Sequence, residues 1–208
     1  MQRRVCLSVG AGPNRGLPRH YRNFEAVTLD VDPDTRPDIC ADVRDLSALA
    51  SESFDAVYMA HLLEHFERHE LTVVMNEVER VLKLGGFVEI RVPHVQAVFE
   101  AVVNGSDLDD PLYQSAMGPI DALDVLFGHG RSLAEGKTFM AHRTAFTPGL
   151  LERVLTSSGL KIELLQPTDG MRFELCGIAR KVGEGFVTYR EAQEAMTQAE
   201  AESSARTM

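Results

Sequence analysis

Cysteine is scarce in this chain: 208 residues hold three, Cys6, Cys40 and Cys176. An odd count without regular spacing argues against a disulfide framework and is expected of packed thiols in a reducing compartment. Long apolar runs are missing too. Nothing approaches the roughly 20 consecutive apolar residues that a membrane-crossing helix needs. Arg3 and Arg4 precede an apolar run too short for a secretory signal. There is no internal repeat and no long low-complexity segment. Basic charge is in deficit, and the formal net charge of −10 argues against a nucleic-acid backbone as partner. What remains is an ordinary globular composition, 44% apolar and 25% charged, on a length that suits one domain with a real core. The expectation is a cytoplasmic protein with neither a membrane nor a nucleic acid among its partners.

Against that background the opening run stands out. Val5-Cys6-Leu7-Ser8-Val9 suits a buried strand and leads straight into Gly10-Ala11-Gly12-Pro13-Asn14-Arg15-Gly16. A second apolar run, Ala26-Val27-Thr28-Leu29, closes on Asp30. A strand, a glycine loop, a second strand and a terminal acid describe one half of a nucleoside-binding α/β sheet. Glycine lets a ligand approach the backbone, and the acid is placed to accept from both ribose hydroxyls. A nicotinamide cofactor would require a further glycine at position 15, where Arg15 stands.

Further strands are predicted near 39–41, 54–60 and 87–92, then at 161–165 and 172–180, where Gln166–Gly170 reads as a hairpin link and hence an antiparallel edge. Helices are predicted from Leu46 to Ala50, over 67–83 with Leu71, Val74, Val78, Val81 and Leu82 on one face, and over 95–104. Gly85-Gly86 ends the second of these. Another helix is predicted from the Asp110 cap, with Gly118-Pro119 breaking it and Gly128 stopping the next piece. Thr147-Pro148 starts one that ends at Gly159. Residues 1–182 form one domain, and 95–146 are long enough to be an inserted lid or substrate region. From Gly183 the composition turns polar; 188–200 suit a helix and 201–208 a loose end.

The order of these pieces resembles a class I S-adenosylmethionine-dependent methyltransferase of the small-molecule, methyltransferase-11-like type. Val9-Gly10-Ala11-Gly12-Pro13 is similar to that family's first motif, Leu29-Asp30-Val31-Asp32-Pro33 to its second and Ala41-Asp42-Val43 to its third. Ser53 through His65 resembles the fourth, and Val81-Leu82-Lys83-Leu84-Gly85-Gly86 the turn before the fifth strand. The resemblance implies a Rossmann-like open sheet of seven mostly parallel strands with an antiparallel C-terminal hairpin, in three α/β/α layers. It also implies S-adenosyl-L-methionine as cofactor. Gly10, Ala11 and Gly12 would line its methionine portion and ribose, Asp30 would take the ribose hydroxyls, and Val31 would lie beside the adenine. Asp42 and Val43 would meet the adenine edge, with Ala60 and His61 near the sulfonium. Asn14 replaces the third motif glycine, and the first helix is missing.

Methyl transfer to a small-molecule oxygen or nitrogen calls for a base, and histidine suits that work near neutral pH. His94, His129 and His142, in or beside 95–146, are the candidate catalytic residues; Arg91 and Arg143 are candidates for binding a substrate carboxylate or phosphate. His61-Leu62-Leu63-Glu64-His65 fits a zinc-hydrolase pattern. It follows directly on a buried strand, however, and is read as helix-start and packing chemistry. No spacing rule supports a metal at His94, His129 and His142, so no metal is expected. Two rivals stay open: another group transfer from the same cofactor, such as aminocarboxypropyl transfer, and a non-catalytic accessory module.

Overall fold

The computed structural model describes residues 3–12, 16–115 and 117–183. The elements predicted over 188–208, and Pro13, Asn14 and Arg15 of the glycine loop, lie outside the described residues. Seven strands build the main sheet: β1 (Arg4–Val9), β2 (Phe24–Asp30), β3 (Ile39–Cys40), β4 (Phe54–Ala60), β5 (Leu82–Pro93), and the terminal pair at Lys161–Thr168 and Met171–Arg180. Between β4 and β5 lies α1 (Leu71–Val81). After β5 come α2 (Val95–Val103), a small hairpin of β6 (Tyr113–Ser115) and β7 (Gly118–Ile120), then α3 (Ala122–Phe127), α4 (Gly130–Ala134) and α5 (Pro148–Ser157). The terminal strands are therefore β8 and β9. The sheet runs β3-β2-β1-β4-β5-β9-β8. β1 to β5 pair in parallel, and β9 runs against both β5 and β8. The predicted hairpin is thus present, but its second strand inserts beside β5 and leaves β8 at the edge. The hairpin link is also shorter than predicted. β8 runs on to Thr168, leaving Asp169-Gly170 as a two-residue turn with Gly170 at φ 74°.

Alternation along the strands divides the sheet into two faces. Leu7, Val9, Val57, Met59, Val88, Ile90 and Val92 pack against α1 (Leu71, Val74, Met75, Val78, Val81) and α5 (Leu151, Val154, Leu155) in one core. Each such side chain contributes roughly 1.5–3 kcal/mol when fully buried. On the opposite face the short turn Arg19–Tyr21 is the one helical turn among the described residues between β1 and β2. Tyr21 is 2% exposed there and packs with Cys6, Ala56, Phe24, Tyr58 and Phe87. No described helix is long and apolar enough to cross a membrane.

Three helix expectations fail for local reasons. Residues 46–50 form turns rather than a helix, because side chains of α1 satisfy their backbone: Glu77 accepts from Leu46 N at 2.7 Å, and Arg80 donates to the carbonyls of Leu46 (2.7 Å) and Leu49 (2.9 Å). Asp110 caps no helix; its carboxylate accepts from Asp107 N at 2.8 Å, closing a turn that leads into β6. Gly118-Pro119 lies within β7 rather than breaking a helix. The predicted helix over 67–83 is confined to 71–81, since Leu82 is already extended and pairs with Phe54, which puts Gly85-Gly86 inside β5.

Candidate active site

Parallel pairing brings the carboxyl ends of the central strands level, with Val9 opposite Leu29 and Met59, and Ala60 opposite Arg91. Binding sites of open α/β sheets form along such an edge. The chain leaves β1 through Gly10 and Gly12 at φ 66° and 56°, a left-handed conformation that side chains disfavour. A Cβ on Gly10 would lie 2.8 Å from Leu62 Cδ1, so this glycine lets the loop close on the turn after β4. A Cβ on Gly12 would meet nothing within 4 Å among the described residues, so the described part of the loop leaves room for a ligand. Asp30 fastens the loop from below: Oδ2 accepts from Gly12 N and Oδ1 from Asp32 N, both at 3.0 Å. Each oxygen retains a lone pair for a further donor. Beside it Val31 is 68% exposed. A glycine cradle, a fixed carboxylate and a bare apolar side chain fit the tail, sugar and base of an adenosine ligand.

The third strand end is less free. Asp42 accepts from Arg44 Nε at 3.0 Å on both oxygens, and Arg44 also reaches Glu70. The bond from Arg44 holds the Asp42 carboxyl below its ordinary value. Val43 is 4% exposed in the core, so only its backbone is available to a ligand.

At the end of β4 the geometry turns polar. His61 adopts φ 51°, unusual for a residue with a side chain. Its Nε2 lies 2.8 Å from Glu174 Oε2 and its Nδ1 3.4 Å from Glu64 Oε1. Burial alone would lower the pKa of this ring, but the bond to Glu174 and the nearby Glu64 carboxylate outweigh it and raise it to about 10. Glu174 is likewise pulled up by burial and down by His61, with the net shift downward. Arg91 donates to Glu89 (2.9 Å) and Glu174 (3.3 Å), and Tyr21 Oη donates to Glu89 at 3.0 Å. Acid and base thus alternate across the sheet from Tyr21 to Glu64. The sequence reading singles out His61 and Arg91, and meets Glu64 only as part of the histidine-x-x-glutamate-histidine string, but not Glu89 or Glu174. The spacing Glu89-x-Arg91 within an otherwise apolar strand was the available signal, because i and i+2 share a face.

The remaining candidates are dispersed. His94 is 8% exposed, its Nδ1 3.2 Å from the Arg172 carbonyl. His129 Nδ1 lies 2.9 Å from Ser132 Oγ at the start of α4. His142 Nδ1 lies 2.8 Å from the Val125 carbonyl, and burial lowers its pKa. Arg143 pairs with Glu67 at 3.0 Å. His94 and His129 do not join His142; among the described residues His142 meets His65 and Glu64 instead.

The family model for the methyltransferase domain matches residues 7–90, the stretch that holds the glycine loop, Asp30 and His61. Over that stretch the chain is similar to a methyltransferase domain. Among solved structures the chain is similar to an S-adenosylmethionine-dependent methyltransferase from Methanosarcina mazei, at 16% identity and a TM-score of 0.56 over 88% of this chain and 95% of that one. One from Mesorhizobium loti aligns at 21% and 0.57 over 85% and 90%. A Haloferax volcanii methyltransferase, in complex with the Trm112 methyltransferase activator, aligns at 15% and 0.56 over 88% and 84%. At such identities the likeness is one of fold. No curated protein matches the chain in sequence.

Proposed function

We propose that this domain methylates an oxygen or nitrogen of a small molecule that enters over His61, between the end of β4 and the 95–146 region. The observation that carries the reading is the room left at Gly12 by the described residues, with Asp30 fixed beneath it and the polar end of β4 alongside. Gly10, Ala11 and Gly12 would cradle the methionine portion and ribose of S-adenosylmethionine, Asp30 would accept from the ribose diol, and Val31 with the Asp42-Val43 backbone would flank the adenine. Bound there, the cofactor supplies a methyl group on a cationic sulfur, open to direct displacement. The protein's own task is then alignment and exclusion of water. His61 and Arg91 offer donors, and Glu174 offers an acceptor, at the place where an acceptor hydroxyl or amine would be oriented. Arg143, paired with Glu67, would bind a substrate carboxylate or phosphate.

Calorimetry with S-adenosylhomocysteine tests the cofactor half of this reading. Wild-type binding with loss of affinity in Asp30→Ala supports it; unchanged affinity in a folded Asp30→Ala overturns it. Product analysis tests the reaction. Methyl transfer leaves S-adenosylhomocysteine, whereas aminocarboxypropyl transfer leaves methylthioadenosine. A second reading, a domain that binds cofactor but turns over only with a protein partner, draws its support from the Haloferax complex. It predicts cofactor binding without product from the isolated chain.

A further inference from the structure

Glu64 is 1% exposed, and neither of its carboxylate oxygens accepts a hydrogen bond. A buried carboxylate without donors is strongly disfavoured unless something neutralises it. His61 approaches one oxygen only at 3.4 Å and makes its closer contact with Glu174. On the other side of Glu64 stand His65 and His142, their rings 5.1 Å apart edge to face. One ligand atom from each of Glu64, His65 and His142 lies within 4.8 Å of the others.

The two rings are prepared alike. His65 Nδ1 lies 3.1 Å from the Ala141 carbonyl and His142 Nδ1 2.8 Å from the Val125 carbonyl. A carbonyl only accepts, so each Nδ1 carries the proton and donates, leaving Nε2 as the lone-pair atom. That tautomer, fixed by a backbone carbonyl, is the usual preparation of a metal-ligating histidine. The backbone holds the arrangement in place: Arg143 N and Thr144 N donate to the Glu64 carbonyl at 2.7 and 3.1 Å, and Thr144 Oγ1 donates to the Phe66 carbonyl at 2.7 Å.

We propose that Glu64, His65 and His142 form a binding site for a divalent transition-metal cation of the zinc kind. The three protein ligands leave a coordination position open. Two imidazoles and one carboxylate suit zinc and disfavour magnesium or calcium, which prefer oxygen alone. The site does not use the histidine-x-x-glutamate-histidine pattern as a zinc hydrolase does. His61 turns to Glu174, and its place is taken by His142 from the far side of the inserted region. A bound ion would neutralise Glu64 and tie residues 141–144 to the turn after β4. The inference does not depend on which molecule is methylated, or on whether any is.

The full chain, stripped with a chelator and dialysed, is titrated with zinc chloride by calorimetry, and with cobalt(II) followed by visible absorption. One zinc per chain, cobalt bands of a low-coordinate site and a rise in melting temperature with zinc are expected. His142→Asn and Glu64→Gln each lose at least about 10-fold in zinc affinity, whereas His69→Asn, at an exposed histidine, matches the wild type. Should Glu64→Gln fail to fold by circular dichroism, His142→Asn carries the test alone. No metal uptake by the wild type, or uptake unaltered in folded His142→Asn, overturns the proposal.

Discussion

Residues 4–93 are held by partners distant in sequence, strand against strand, with α1 laid over one face. Residues 95–146 are tied to that sheet half at their far end, where Arg143 N and Thr144 N donate to the Glu64 carbonyl and Phe146 is buried in the main core. Otherwise they are held mostly by one another. Their core is small: Val98, Ile120, Ala122 and Val125 are buried, with Tyr113 stacked 5.8 Å over Phe173, a residue lent by β9. Most of the large apolar side chains exposed among the described residues belong to this region, including Phe99, Val103, Phe127 and Phe139. The first region is thus over-determined by long-range pairing, and the second rests on a few contacts. That difference implies separate stabilities, with the inserted region opening at lower cost than the sheet.

The largest effect that would test this contrast is a cavity under the sheet. Met75 is fully buried in the main core, and Met75→Ala is expected to cost about 2–5 kcal/mol and to lower a single cooperative melting transition. Next comes Asp30→Ala, with a loss of about 100-fold or more in S-adenosylhomocysteine affinity, as expected for hydrogen bonds to a charged acceptor at roughly 1.5–3 kcal/mol each. His142→Asn, on the other side of the boundary, is expected to leave that affinity unchanged in calorimetry. If both variants weaken the cofactor equally, the two regions are not separable. Val98→Ala, in the small core, is expected to cost about 0.5–3 kcal/mol locally. Hydrogen exchange would rise across α2, α3 and the β6–β7 hairpin while amides of β1, β4 and β5 keep their protection. Uniform acceleration through the sheet would mean that the inserted region unfolds only with the whole.

Legibility in the sequence follows the same line. β1, β2 and β4 and the loop between the first two could be read because apolar runs, glycines and a terminal acid act locally and together. Asp30 and Gly12 meet through one hydrogen bond between neighbouring strand ends, a relation that the strand–loop–strand order already contains. The stretch 46–50 was misread because the groups that satisfy its backbone, Glu77 and Arg80, lie on α1. The hairpin at 113–120 was misread because Pro111 and Pro119 signal helix boundaries as readily as strands. The string His61-Leu62-Leu63-Glu64-His65, read as helix-start and packing chemistry, starts no α-helix: it makes a short turn at Leu63–His65, and the left-handed His61 sends its members apart. No rule of spacing links Glu64 to His142; only the return of the inserted region does.

The smallest expected effect concerns acid. Glu77 and Asp55 both lie in the sheet half, and both carboxyls are held below their ordinary values. For Glu77 the hydrogen bond from Arg80 leads, with help from Leu46 N. For Asp55 burial pushes upward, but the Val5 amide at 2.8 Å and Lys83 at 2.9 Å outweigh it. A depressed folded value means that the unfolded chain takes up protons first. The stabilisation is therefore complete above the ordinary carboxyl values of 4.5 and 3.8, and is lost as pH falls through the lower folded ones. Melting temperature should thus be flat toward neutrality and decline below about pH 4.5. Asp55→Asn should lower the plateau slightly and flatten the decline, because the amide cannot titrate. In hydrogen exchange at pH 4 the added opening should appear first at Val5 and along the β1–β4 pairing, near the lost tie. A decline that begins instead in residues 95–134, with the sheet still protected, would show that acid acts on the inserted region first.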